Sequence, residues 1–477
     1  MFGWIILAAI VVLLAVILVR TLNFKPLPQE EKSFEKVEFD SDRSVETLAE
    51  LVKCKTVSFA DKKQEDNAEF EKLIDMLPTL YPNVFKTCEF NRMGERSLLF
   101  RWKGMGDGEP AVLMAHFDVV PVEEENWTRP AFDALIKDGV MWGRGTLDTK
   151  VTFNGVLSAA ENLIARGFTP KDDIYFAFAG DEEINGDGAP TIVRYFTEKG
   201  VTPSMVIDEG GAVVNGMFPG VKEPCGMIGI AEKGMINVEF SCSSAGGHAS
   251  APAPHTPVGV LSAACKKVED HPFKSHFEGP CSLMFDTLGR RSSFVYRMLF
   301  ANLWLFKPIL DAVCKKSGGD LNALVRTTVA FTQMKGSLAP NVIPPTASMV
   351  ANLRLNPSDS VASAMEYLKK TINDDKVELK VINGMEPSPV SRLDCDGWKR
   401  VVNAVEGTWP GCVTTPYLMV QCSDSRHYAG ISDRVYRFSA MDLTDEERHS
   451  IHGNDEHIRL ATAKSAVEFY IRVMQQC

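Results

Sequence analysis

Cysteine pairing, a phosphate-binding glycine loop and an excess of basic charge are all missing from this chain. Its eleven cysteines, an odd number, run from Cys54 to Cys477 without a Cys-x-x-Cys pair or zinc-finger spacing. That argues against a disulfide framework and against a cysteine-ligated structural zinc, and the thiols read as buried. The 51 Lys and Arg are outnumbered by 62 Asp and Glu, a net charge of −11, so nucleic acid is not an expected partner. Internal repeats and low-complexity tracts are absent as well. What remains is a 477-residue chain, 45% hydrophobic, long enough for two or three domains with cores of their own.

Against that background five short motifs stand out: HFD at 116–118, RGTLD ending at Asp148, GDEE ending at Glu183, IDEGG containing Asp208, and IHG containing His452. Together His116, Asp148, Glu183, Asp208 and His452 supply the imidazole and carboxylate donors that zinc prefers, enough for two ions, and Glu182 is left free as a base. Three of the motifs end apolar runs, AVLMA at 111–115, IYFAFA at 174–179 and SMVI at 204–207. Runs of this kind suit strands buried on both faces of a parallel sheet, whose carboxyl ends collect ligands. The strand period of two puts His116 and Asp118 on one side, so Asp118 can orient the imidazole while Phe117 turns away. Downstream of Asp148, the stripe Phe153, Val156, Leu157, Ala160, Leu163 and Ile164 predicts a helix stopped at Gly167, with Asp148 at its loop junction.

In their order, these motifs resemble those of the dizinc aminoacylase and carboxypeptidase S metallopeptidases, nearest to the N-fatty-acyl amino acid synthase/hydrolase subgroup. SAGGHAS (244–250), MFDTLG (284–289), APNVIPPTASMVANLRL (339–355) and SDSRHYAG (423–430) extend the match over nearly everything after residue 40. The resemblance implies that His116 and Asp208 bind one zinc, Glu183 and His452 the other, that Asp148 bridges them and that Glu182 is the general base. It implies a cis peptide after Asp148, a carbonyl-polarising role for His248, often across a dimer, and substrate contacts from Asn341 and Arg354. Cobalt or manganese are alternative metals for such a site. The chain departs from the family after His452, with Gly453-Asn454-Asp455-Glu456-His457, and this leaves His449 as a rival ligand; Thr149 and Thr152 are further departures. A catalytically silent binding module on the same fold is the competing class, which loss of a ligand or of Glu182 would signal; neither is lost.

The chain's other long apolar feature is FGWIILAAIVVLLAVILV at 2–19, uncharged and, as a helix, roughly 27 Å long, enough to cross a hydrocarbon core. No small-residue cleavage motif follows it, so a retained single-pass anchor is expected, with residues 20–40 as a polar tether. Arg20 and Lys25 favour a cytoplasmic body, whereas the resemblance favours export, and the side of the membrane stays open. The expected architecture is α/β: a zinc-peptidase-like catalytic domain with a central, mainly parallel sheet flanked by helices, formed by 41–235 and 386–477. An α+β lid, 236–385, is inserted between its halves as a possible homodimer contact, and residues 1–40 are anchor and tether. The stretch FVYRMLFANLWLF at 294–306 is too short and too polar to span a bilayer. It reads as a core or dimer helix, an acyl-chain groove or a membrane-dipping face. The expected activity is amide hydrolysis of N-acyl amino acids or short peptides with a free carboxylate, the alternative being a carboxypeptidase or dipeptidase with no acyl-chain preference.

Overall fold

Apolar runs too short for helices and buried on both faces need a sheet with helices on either side, and the computed structural model has this arrangement. It describes residues 1–27, 32–216 and 218–477. The central sheet contains β1 (Glu89–Met93), β2 (Ser97–Trp102), β3 (Ala111–His116), β4 (Ile174–Ala179), β5 (Met205–Val214), β6 (Cys225–Glu232), β7 (Val413–Met419) and β8 (Val435–Leu443). Their order is β1-β2-β4-β3-β5-β8-β6-β7. Pairing is parallel at β4–β3, β3–β5, β5–β8 and β6–β7 and antiparallel toward the β1 edge. The sheet is therefore mixed and mainly parallel.

Strand periodicity divides the side chains of β3 between two cores. Leu113 and Ala115 face the helices Lys150–Ala165 and Leu460–Met474, while Val112 and Met114 join Ile192, Phe196 and Tyr428 on the opposite face. The predicted stripe from Phe153 to Leu163 is buried in the first core, and the chain leaves that helix through Gly167 at φ +77°.

A separate antiparallel sheet forms the lid, in the order Thr328–Lys335, Thr346–Leu355, Gly234–Ser243, Glu378–Met385. Helices Pro257–Asp270 and Val361–Ile372 cover one face, with Val238, Phe240, Leu261, Leu353 and Leu368 among the buried residues. The interval 236–385 is split between two cores, however. Phe277, Met284, Phe285, Leu288, Phe300 and Leu324 are buried with the central sheet, not with the lid. They come from α2 (Pro280–Arg291), α3 (Phe294–Ala301), α4 (Leu303–Ser317) and their flanks.

The stretch 294–306 thus forms two helices joined at Asn302, and its aromatic residues have different fates. Phe300 is buried against Phe218 (4.8 Å between ring centres) and Phe285 (5.5 Å), whereas Trp304 is 56% exposed. At the N-terminus α1 (Phe2–Asn23) is long and apolar enough to cross a membrane. Only Ile17 and Thr21 of it are buried. Part of the tether expected at 20–40, residues 28–31, lies outside the described residues. Beyond it, Lys32 pairs with Glu406 at 2.8 Å and fastens the chain to the body.

Because Phe300 fills a closed aromatic cluster, Phe300→Ala is expected to lower the stability of the body by about 3–5 kcal/mol. A denaturant midpoint measured beside metal content checks this, with the midpoint falling and the metal retained.

Candidate metal centre

His116 ends β3 with its ring 2% exposed, and its two nitrogens do different work. Nδ1 lies 3.1 Å from the Asp118 carbonyl oxygen and 3.3 Å from Asp118 Oδ1. A proton held there leaves Nε2 with its lone pair toward the site. Nε2 lies 3.0 Å from Asp148 Oδ1 and 3.4 Å from Glu209 Oε1. From the other end of the chain, His452 Nε2 lies 3.0 Å from Asp148 Oδ2 and 3.2 Å from Glu183 Oε2. Asp148 therefore stands between the two imidazoles, one oxygen toward each. The Asp148–Thr149 peptide is cis. His449, the rival, is exposed and turns Nδ1 to the Asp445 carbonyl of its own helix.

The acid expected at Asp208 is buried beside a second carboxylate that reaches the cluster. Asp208 Oδ2 accepts a hydrogen bond from the Ser425 amide at 2.8 Å, and its neighbour Glu209 groups with His116 and Glu182 in the cluster. The strand is irregular at this point, its pairing with β8 passing from Asp208 directly to Gly211, and Glu209 Oε1 comes within 3.4 Å of His116 Nε2. Of the proposed substrate contacts, Arg354 is not in the cavity lining, but its Nη1 donates at 3.3 Å to the Sγ of Cys422, which is. His248 and Asn341 lie outside the residues that line the cavity. They are held together at the lid's tip, His248 pairing with Val342 across a short ladder and Ala249 N donating to Asn341 O at 3.0 Å.

Two buried acids hold the loops that carry these donors. Asp118, fully buried, accepts from Ser58 Oγ at 2.6 Å, from Glu182 N at 3.2 Å and from Glu183 N at 3.1 Å. Glu456 accepts from the amides of Gly145, Leu147 and Asp148 at 3.1, 2.7 and 3.2 Å, and pairs with Arg144 at 2.6 Å. In the sequence Glu456 belonged only to a departure from a motif, and its partners lie some 310 residues upstream, |i−j| 308 to 312.

The electrostatics call for a cation. Burial, reinforced by Glu209, Asp424 and Glu183 and partly offset by His116, holds Glu182 well above the usual carboxylate range. Burial together with Asp148 and Asp208 pushes Glu209 up to about 8, against the pull of His116. Hydrogen bonds to Asp148 and Glu183 raise His452 to about 10. Asp148 itself is held low, against its burial, by hydrogen bonds from His116 and His452. Glu183 Oε1 is buried with no hydrogen-bond partner. Crowded carboxylates, one with an orphan oxygen, fit metal binding.

The cluster opens into a cavity of about 420 Å³. Asp148, Glu182, Glu183, Glu209 and His452 form its polar wall; Val214, Met227, Tyr417, Met419 and Met441 are part of its apolar one. A second space of about 280 Å³ shares Val214, Met227, Asp320 and Arg448 with it and adds Phe218, Met284, Leu321 and Leu324. Arg448 and Asp320 form an ion pair of 3.3 Å where the two spaces meet. No residue of 294–306 lines either space.

Glu456→Ala would leave Arg144 buried and unpaired and release three amides from the Asp148 loop, so a loss of about 3–5 kcal/mol is expected. Metal retention should fall with it, as read by denaturation and metal analysis of the same sample.

Residues 112–476 match the model of peptidase family M20/M25/M40. The chain is 35% identical, over 98% of its length and 93% of the relative's, to the N-fatty-acyl-amino acid synthase/hydrolase PM20D1 of Xenopus tropicalis. It is 36% identical, over 90% of its length and 84% of the relative's, to the probable carboxypeptidase S-like 2 of Dictyostelium discoideum. The M20 family metallo-carboxypeptidase Sso-CP2 of Sulfolobus solfataricus shares its fold with a TM-score of 0.67 at 16% identity, covering 91% of this chain and 98% of that one.

Proposed function

Because the chain belongs to peptidase family M20/M25/M40 and is a zinc metallopeptidase or amidohydrolase of that family, we propose that it is a dizinc hydrolase of N-acyl amino acids. The observation that carries this reading is the cavity itself, whose lining joins Asp148, Glu182, Glu183, Glu209 and His452 to Val214, Met227, Tyr417, Met419 and Met441. Its apolar part offers an acyl chain a place to leave water, and its methionines adapt to an unbranched chain.

The donor set fits two ions: His116 with Glu209, His452 with Glu183, and Asp148 between them. Glu209 takes the place expected of Asp208. Zinc at these positions supplies Lewis-acid polarisation of the amide carbonyl and a more acidic water; cobalt and manganese accept the same donors. The chain supplies the proton transfers. Glu182 takes a proton from the attacking water as its oxygen bonds to the carbonyl carbon, and returns it to the nitrogen as the carbon–nitrogen bond breaks. Fatty acid and free amino acid leave. Asp118 keeps Glu182 aimed by holding its amide.

Arg354, bonded to Cys422 of the cavity lining, suits the substrate carboxylate. His248 and Asn341, which stand off the cavity lining, would reach the substrate by motion of the lid or from the lid of a partner in a homodimer. The segments 41–235 and 386–477 form the catalytic domain, 236–385 supplies the lid, and 1–40 carries α1 as a retained anchor. The contacts of Ile17 and Thr21 with the body support retention, since cleavage would uncover the buried Asn302 amide that they meet.

Glu182→Gln is expected to keep both metals and lose about a hundredfold to ten-thousandfold in kcat; turnover near the parent's would remove Glu182 from the mechanism. Glu209→Gln should lower metal occupancy more than Asp208→Asn, and the reverse order would restore Asp208 as ligand. For the parent, kcat/KM on a panel of N-acyl amino acids should rise with acyl length by up to about 0.8 kcal/mol per buried methylene. A preference for unblocked dipeptides would move the reading to a carboxypeptidase or dipeptidase.

A further inference from the structure

The uncharged run of α1 ends at Val19, and Arg20 follows. Just there the body meets the helix. The side-chain amide of Asn302, fully buried, donates to Ile17 O and to Thr21 Oγ1, each at 3.3 Å. Arg20 Nε donates to Ala301 O at 3.1 Å. Residues 301–302 therefore stand level with residues 17–21. With about 1.5 Å of rise per residue, Ile17 is only about 3 Å from the end of the apolar run. A bilayer that holds residues 2–19 must then reach to within a few ångströms of Asn302, and whatever surrounds Asn302 shares that depth.

Exposed apolar side chains stand on the two helices that Asn302 joins. Trp304 is 56% exposed, Ile309 57% and Val313 52% on α4, with Val295 at 62% and Phe294 at 46% on α3. Ile309 and Val313, four residues apart, share a face of α4. Trp304 keeps its indole N–H toward Asn302 Oδ1, at 3.4 Å, with its ring outward, the division of polar edge and apolar body that suits the boundary between headgroups and acyl chains. Phe24 and Lys25, just past the span, are tied to Arg290 of α2, whose guanidinium lies 4.5 Å from the Phe24 ring and donates to Lys25 O at 3.1 Å. The body is thus held tightly against the emergence point of α1.

We propose that the α3–α4 pair is a second membrane contact, lying in the interface of the leaflet from which α1 emerges, with Trp304 at the start of α4 dipping into it. The occupant of this apolar face is the lipid bilayer itself. This rests on the reading of α1 as a retained anchor. It places the catalytic body flat on the membrane instead of at the end of a free tether, and the stretch at 294–306 divides its labour: Phe300 packs inward while Trp304 faces lipid.

The test uses full-length protein in phosphatidylcholine vesicles made with and without 6,7-dibrominated acyl chains. Trp4→Phe removes the tryptophan inside α1 and leaves six of the chain's seven. Fluorescence of this protein should be quenched by the brominated lipid, and Trp304→Phe in the same background should abolish that quenching while N-acetyl amino acid turnover is unchanged. Equal fluorescence in the two lipids, or quenching that survives Trp304→Phe, with the protein floating with the vesicles, would overturn the second contact and leave the anchor standing. Protein that does not float with vesicles, or that lacks its first 24 residues after expression, would overturn the anchor and the contact together. Activity on the N-acetyl substrate in every case reports the hydrolase reading separately.

Discussion

Carboxylates brought together out of water repel one another, and everything around the site of this chain depends on that repulsion being met. Asp148, Glu182, Glu183 and Glu209 share a space with only two imidazoles. At such separations each like-charge pair costs about 4 kcal/mol at an effective dielectric of 20. The two imidazoles answer part of the charge, and Glu183 Oε1 is left buried without a hydrogen-bond partner. A fold that keeps such an arrangement is shaped to hold cations.

Holding them requires rigid loops, because the donors stand on loops and strand ends that come from opposite ends of the chain. Two further carboxylates do this without entering the donor set. Asp118 gathers the amides of Glu182 and Glu183, and Glu456 those of Gly145, Leu147 and Asp148. Each turns a flexible turn into one with a single low-energy arrangement, and a ligand pinned through its own backbone loses little further entropy when metal binds. Glu456 also couples the segment that carries His452 to the loop that carries Asp148. The discontinuity of the catalytic body is closed at the metal centre itself.

Much of this was legible from residues alone. Uninterrupted apolar runs ending in His116 and before Glu182 could only be buried strands with polar ends, and the stripe from Phe153 to Leu163 had the period of a helix with one covered face. Asp208 and Glu209 were not separable in this way. They are adjacent acids followed by two glycines, and which of them faces the donors depends on the phase of β5 against its neighbours. Glu456 was hidden because its partners are distant in sequence and a lone buried acid has no pattern. How the inserted segment divides between two cores was hidden for a related reason. Periodicity in 280–325 announces amphipathic helices but not the surface they cover, and Phe285 and Phe300 cover the central body.

That division of the inserted segment bears on how the enzyme moves. A lid made of all of 236–385 would carry Phe285 and Phe300 with it when it closed, breaking their packing on Phe218. With α2 to α4 fixed to the body, the moving part reduces to the antiparallel sheet and its two helices, a unit with its own core. Its connections to the body run through Lys233–Gly234 and Met385–Pro387, where Gly234 leaves no room for a side chain against Pro387, and through the two chain passages flanking α2 to α4. A small rigid unit on close-set connections can bring His248 and Asn341 toward the cavity together, since they already share one ladder. Phe218, Met284, Leu321 and Leu324, around the second space, pack with the body and not with that unit.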